Sequence, residues 1–199
     1  MNINSFATIF LLALVSTQPA LAHSPIQGIG DFYNGLLHPI LVPAHLLLLV
    51  AIGFFGGQQG LDRVKPVLGM FTLATVAGLI IAWFSISIEF EIFILILSAV
   101  IGLLIVIKPK VSLFWCGLIA LLAGFLLGID SAQEALSGKD KLVTLFGTSI
   151  GINLLALYSI GFADYFNKKA WQQIGIRIIG SWVSASALLV LALSFSSQA

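Results

Sequence analysis

Apolar residues in this chain come in long unbroken runs, not in the alternating or one-sided patterns of a soluble fold. Six such runs lie near 36–56, 66–84, 90–107, 111–129, 142–163 and 174–195. At about 1.5 Å of rise per residue, each has the length to cross a hydrocarbon core ~30 Å thick. Their apolar character is continuous, so they predict helices and not the strands of a membrane barrel. The connections are short, as an antiparallel bundle allows. The expected fold is all-α: a polytopic membrane protein with a six-transmembrane-helix bundle.

A further apolar stretch precedes these runs. The segment "ATIFLLALVSTQPALA" ends in Ala20-Leu21-Ala22, the small-x-small pattern of a signal-peptidase site. The leading "MNINS" lacks Lys and Arg, so a retained first span is the competing reading. With cleavage, 1–22 is an N-terminal signal peptide, 23–199 is the transmembrane domain, and His23 becomes the mature N-terminus.

Composition agrees with this reading. Hydrophobic residues make up 59% of the chain and charged residues 9%, against about 25% charged in a soluble domain. No polar half remains for a separate soluble domain, and with a formal net charge of +1 no nucleic-acid partner is expected. The single cysteine, Cys116, lies inside an apolar run, which excludes an intramolecular disulfide.

Charge orients the bundle. Arg63, Lys65, Lys108, Lys110, Lys168, Lys169 and Arg177 fall on one side, and only Lys139 and Lys141 on the other. The basic side is expected to be cytoplasmic, which puts both mature termini outside, in agreement with a cleaved signal. The expected location is a bacterial inner membrane. Asp31, Glu89, Glu91, Asp130, Glu134 and Asp140 gather on the outer side, where the histidines also lie, and only Asp62 and Asp164 are inside. Carboxylates and imidazoles thus share the face that meets an external cation, although acids are also tolerated there once Lys and Arg are kept within.

The stretch "GLLHPILVPAHLLLLVAIGFFGG" concentrates the unusual chemistry. His38 and His45 are seven residues apart and share a face of a continuous helix, but would lie ~10.5 Å apart along its axis. Metal–imidazole bonds are ~2.0–2.1 Å, so one ion reaches both rings only if the backbone bends. Otherwise the two are successive stations. Pro39 suits a first helical turn. Pro43 removes a backbone donor and predicts a kinked or broken entry, which is tolerated at membrane depth when packed in protein or lining a wet cavity.

Each polar residue has a plainer role beside the functional one. His45 is either a ligand or a hydrogen-bonded packing histidine. His38 is a second ligand or a side chain snorkelling to the interface. His23, once terminal, chelates through amine and ring, or is merely the residue after a cleavage site. Asp130 and Glu134 share a face if their helix persists; there they attract a divalent ion, repel each other, or pair with Lys139 and Lys141. Gly124-x-x-x-Gly128 and Gly147-x-x-x-Gly151 read as packing faces between helices.

The segment "GDFYNGLLHPILVPAHLLLLVAIG" resembles the HupE/UreJ family pattern GFxxGxxHPxxGxDHxLAMxxVG. Phe32, Gly35, His38, Pro39, His45 and Gly53 fall in step with it. The resemblance extends over the chain to the closing helix "RIIGSWVSASALLVLAL". It implies a membrane permease for nickel or cobalt that supports urease or hydrogenase maturation, with His38 and His45 in the metal path. Where the family has Gly-x-Asp-His, this chain has Val42-Pro43-Ala44-His45; no histidine occurs in span four, and Tyr158 stands where span five is expected to carry one.

The expected metal-binding set is His38, His45, His23, Asp130 and Glu134. The ion, Ni2+ or Co2+, is expected as transported cargo and not as a permanently bound cofactor. The expected partners are the lipid bilayer, the metal ion, and a second copy or a membrane-complex partner. The alternative is a non-transporting accessory or anchor subunit of a larger membrane complex. No HExxH, activated serine or intramembrane aspartate pair marks an enzyme, and no ATP-binding loop is present. Transport would be passive, ion-coupled or driven by a partner.

Overall fold

The computed structural model describes residues 28–84, 90–133 and 136–196. The signal-peptide reading of 1–22, with His23, lies outside the described residues, as do Glu89 and Glu134. Among the described residues every regular element is helical: α1 (Asp31–Leu41), α2 (Pro43–Gln59), α3 (Leu61–Trp83), α4 (Glu91–Ile107), α5 (Leu113–Ile129), α6 (Gly138–Tyr165) and α7 (Ala170–Ser196).

Three of these helices, α3, α6 and α7, are long and apolar enough to cross a membrane alone; α1 and α2 together make a fourth such segment, bent by 70°. The apolar α4 and α5 have 17 residues each, about 25 Å of helix at 1.5 Å per residue. Large apolar side chains such as Leu73, Phe114, Trp182 and Leu189 point outward, where lipid and not water has to meet them. The chain is a multi-pass membrane protein, all-helical over its described residues.

The break between α1 and α2 follows from the prolines. Pro43 has no N–H and opens α2 as its first residue, where none is needed. Val42, the residue before it, is extended at φ −88° and ψ 110°, as the Pro ring dictates. The Val42 N–H closes α1 on the His38 carbonyl at 3.0 Å, and the Leu46 N–H opens α2 on the Val42 carbonyl at 3.0 Å. Pro39 is not in a first turn as expected: α1 starts eight residues earlier at Asp31, so Pro39 falls in its closing part.

Helix α2 runs through the middle of the bundle, with Ala44, His45, Leu48, Leu49 and Ala51 all fully buried. The main pairings are α3 with α5, α1 and α2 with α6, α4 with α7, and α2 with α4. The two small-residue motifs lie at two of these seams. A Cβ on Gly124 or Gly128 would run into the Phe71 or Thr75 carbonyl of α3, and one on Gly147 or Gly151 into the Phe32 or Leu36 carbonyl of α1. Lipid gives helices no hydrophobic drive to associate, so such close backbone packing supplies much of the cohesion.

Candidate functional site

The bend between α1 and α2 turns a seven-residue separation into a contact. His38 ends α1 and His45 lies in the first turn of α2, with ring centroids 5.1 Å apart and planes at 78°. His38 is 4% exposed and His45 0%, so the snorkelling role for His38 does not apply. Both imidazoles are inside the protein at the α1–α2 break.

The acid missing beside His45 in the sequence arrives from α5. Asp130, the residue that caps α5, places Oδ2 at 2.9 Å from His45 Nε2, across 85 residues of chain. Its other oxygen, Oδ1, accepts the Phe90 backbone N–H at 3.1 Å, just ahead of α4. One carboxylate therefore ties the ends of α2, α4 and α5 together. Helix α5 ends at Ile129, and Asp130, just beyond it, pairs with His45.

This arrangement fixes the chemistry of His45. A neutral imidazole has one N–H and one lone pair. With Nε2–H donated to the carboxylate, the lone pair is on Nδ1, and that atom is buried without a hydrogen-bond partner among the described residues. A carboxylate holding one ring nitrogen while the other offers its lone pair is the usual way a histidine is oriented toward a metal. The carboxylate sets the tautomer. Against that, the described residues contain no group of three or more His, Cys, Asp or Glu already placed around one metal position. The cluster is an oriented imidazole with a second ring beside it, not a finished cage.

Tyr158, at the position where the family pattern leads one to expect a histidine, is 71% exposed on the outer surface of the bundle and takes no part in this cluster. One polar pair escaped the sequence reading. The Thr72 hydroxyl of α3 meets Asn153 Oδ1 of α6 at 2.6 Å, and Asn153 Nδ2 donates to the Ser149 carbonyl at 2.8 Å. Its signal was available: Asn153 is an amide in the middle of an otherwise apolar span, and such residues rarely face lipid.

The family model described as HupE / UreJ protein matches residues 11–190. No curated protein and no solved structure matches the chain significantly.

Proposed function

The chain belongs to the HupE / UreJ protein family, and from that premise we propose that it passes a divalent transition metal, nickel or cobalt, through a bacterial inner membrane to supply metalloenzyme maturation. The ion is cargo. On this reading α1 with α2 forms one span, and α3 to α7 the other five, with both mature termini outside. The seven-to-two division of basic residues supports that orientation; in it the His38–His45–Asp130 cluster is the outer entrance.

The observation that carries the proposal is the buried, unpartnered Nδ1 of His45, whose Nε2 is held by Asp130. A purely structural histidine would be expected to satisfy both nitrogens, because an unpaired buried acceptor costs about 1–3 kcal/mol. Imidazole nitrogen suits nickel and neighbouring ions, and His38 is near enough to add a second ring after a small rotation. Few protein ligands are an advantage in transit, since the site has to bind and then release. His23 and Glu134 remain candidates to complete the entrance.

A second reading is a membrane subunit that transports nothing by itself. It is favoured by the lack of a preassembled three-donor metal site among the described residues. The test is nickel, and separately cobalt, accumulation in uptake-deficient cells at limiting metal. Cells express this chain, its His45→Ala form, or nothing, with membrane levels matched. Accumulation that depends on His45 is the expected result. A well-expressed wild type that accumulates neither metal would sink the permease and leave the accessory subunit.

A further inference from the structure

A slot between α2, α3, α5 and α6 differs in chemistry from one end to the other. Buried apolar side chains, Ile52, Phe55, Phe71 and Ala156 among them, wall the far end, and Gln59 and Arg63 stand at the near end. On α3 the lining runs from Arg63 to Phe71, about 12 Å along the helix at 1.5 Å per residue. With about 30 Å³ of free space, the slot is long and narrow.

The polar groups at its near end are not equivalent. Gln59 commits both sides of its amide to the α4–α5 connection, donating to the Pro109 carbonyl at 3.2 Å and accepting the Val111 N–H at 3.3 Å. Arg63 gives a single bond, from Nη1 to the Val111 carbonyl at 3.3 Å, out of the five N–H groups a guanidinium carries. It is exposed, and among the described residues it is the one charge in the lining. Its neighbour Asp62 is answered by Lys65 at 3.3 Å, and Lys110, also exposed, immediately precedes Val111. A metal ion does not belong here: desolvation in such a lining costs tens of kcal/mol, and the guanidinium repels it. An amphiphile with an anionic head matches both ends.

We propose that this slot holds an anionic glycerophospholipid, with its phosphate on Arg63 and part of one acyl chain between α3 and α6. The planar fork of an arginine matches phosphate geometry, and basic pockets between membrane helices on the cytoplasmic side take anionic head groups. The proposed orientation puts Arg63 on that side. Helix α3 is locked to α5 but meets α6 much more lightly, and Gly56 and Leu68 in the lining are only half-buried, so the slot is not sealed from lipid. The free space takes a portion of the chain, and the remainder lies with the surrounding bilayer. The lipid is a structural partner that fills the thin boundary between α3 and α6, whether or not metal crosses the protein.

The test titrates the purified, delipidated full chain with dioleoyl phosphatidylglycerol or dioleoyl phosphatidylcholine, which share their acyl chains and differ in head-group charge. Native mass spectrometry reads bound lipid, and thermal melting reads stability. Wild type should bind the anionic lipid at least about fivefold more tightly, as expected for one cation near an anionic head group, and melt higher with it. Arg63→Gln keeps a donor for Val111 and should lose that preference, whereas Lys169→Gln, which removes an exposed cation from the α6–α7 connection, should keep it. Gly56→Ala narrows the slot; its new Cβ would sit 3.5 Å from Ile160 and Val64 side-chain atoms, ordinary van der Waals contact, so the fold should hold. Both lipids should then bind roughly fourfold more weakly, as for the loss of one buried methylene. Equal binding of the two lipids by wild type would overturn the site, as would an Arg63→Gln form that keeps the preference or a Lys169→Gln form that loses it equally. Wild-type lipid binding by Gly56→Ala, or inorganic phosphate raising the melting temperature as much as the lipid does, would remove the slot from the account and overturn it too.

Discussion

The two ends of the bundle handle their polar groups differently. At the end that carries the α4–α5 connection, side chains serve the backbone of that connection. Gln58 donates to the Ile105 carbonyl at 3.1 Å, Gln59 to Pro109 at 3.2 Å, Arg63 to Val111 at 3.3 Å and Arg177 to Val106 at 2.7 Å. The Ile105 and Val106 carbonyls are ones that the last turn of α4 would otherwise leave open; those of Pro109 and Val111 belong to the connection that follows it. At the opposite end Asp130 serves both the Phe90 N–H and the His45 ring, and a lone pair on His45 is left over. Gln58 Oε1 is also buried and unpartnered, but an amide oxygen is a weaker donor than imidazole for nickel-like ions. One end reads as structure and the other as a place kept open for something to bind.

The largest effect should come from removing the imidazole while keeping the carboxylate company. His45→Gln retains an amide donor for Asp130, so the fold should survive, whereas metal accumulation should fall to the level of cells without the protein. Accumulation near wild type in His45→Gln would mean that the lone pair on Nδ1 is incidental. Next in size is Asp130→Asn, which acts through the tautomer. Its oxygen has to keep accepting the Phe90 N–H, leaving its NH₂ facing His45 Nε2. That forces the ring proton onto Nδ1 and removes the lone pair. Loss of such an orienting partner typically costs about 10–100-fold in metal affinity, readable by Co2+ titration of the purified chain. An unchanged affinity would break the contrast between the two ends, because Asp130 would then be one more structural tie.

How much of this was written in the sequence depends on the range of the interaction. The helices were legible because apolar runs announce themselves locally. The break at Val42–Pro43 was legible because a proline ring acts on its immediate neighbours. The burial of His38 was not, since it depends on the 70° bend between α1 and α2 and on packing against α6. The partner of His45 was hidden for a similar reason. The sequence shows that no acid adjoins His45, but only the folded bundle brings Asp130 to it across 85 residues.

A third prediction concerns the scaffold that makes this meeting possible. Gly128→Ala puts a methyl into the Thr75 carbonyl, and overpacking of this kind costs roughly 1–3 kcal/mol. The α3–α5 pair should loosen, shifting Asp130 away from His45, so melting temperature and Co2+ affinity should fall together. Gly161→Ala is the matched control, because nothing lies within 4 Å of the added methyl; it should leave both unchanged. If Gly128→Ala lowered stability without weakening Co2+ binding, the entrance would not depend on how α5 is seated.

The smallest effect is expected where a charge is prominent but has only a structural task. Arg177 is exposed and gives its Nε–H to the Val106 carbonyl at 2.7 Å, holding α7 to the end of α4 that lies away from Asp130. Arg177→Gln removes one of the seven basic residues that the proposed orientation puts inside, too few to reverse an orientation set by the whole asymmetry. The amide can still donate to Val106, so the loss should stay within about 1 kcal/mol, a shift of a few degrees in melting at most. Uptake should stay within about twofold of wild type, because the Arg177 side chain neither meets the ion nor positions a group that does. A large loss of uptake with melting preserved would show that the end carrying the α4–α5 connection also handles the cation, and the division between a structural end and a functional end would fail there first.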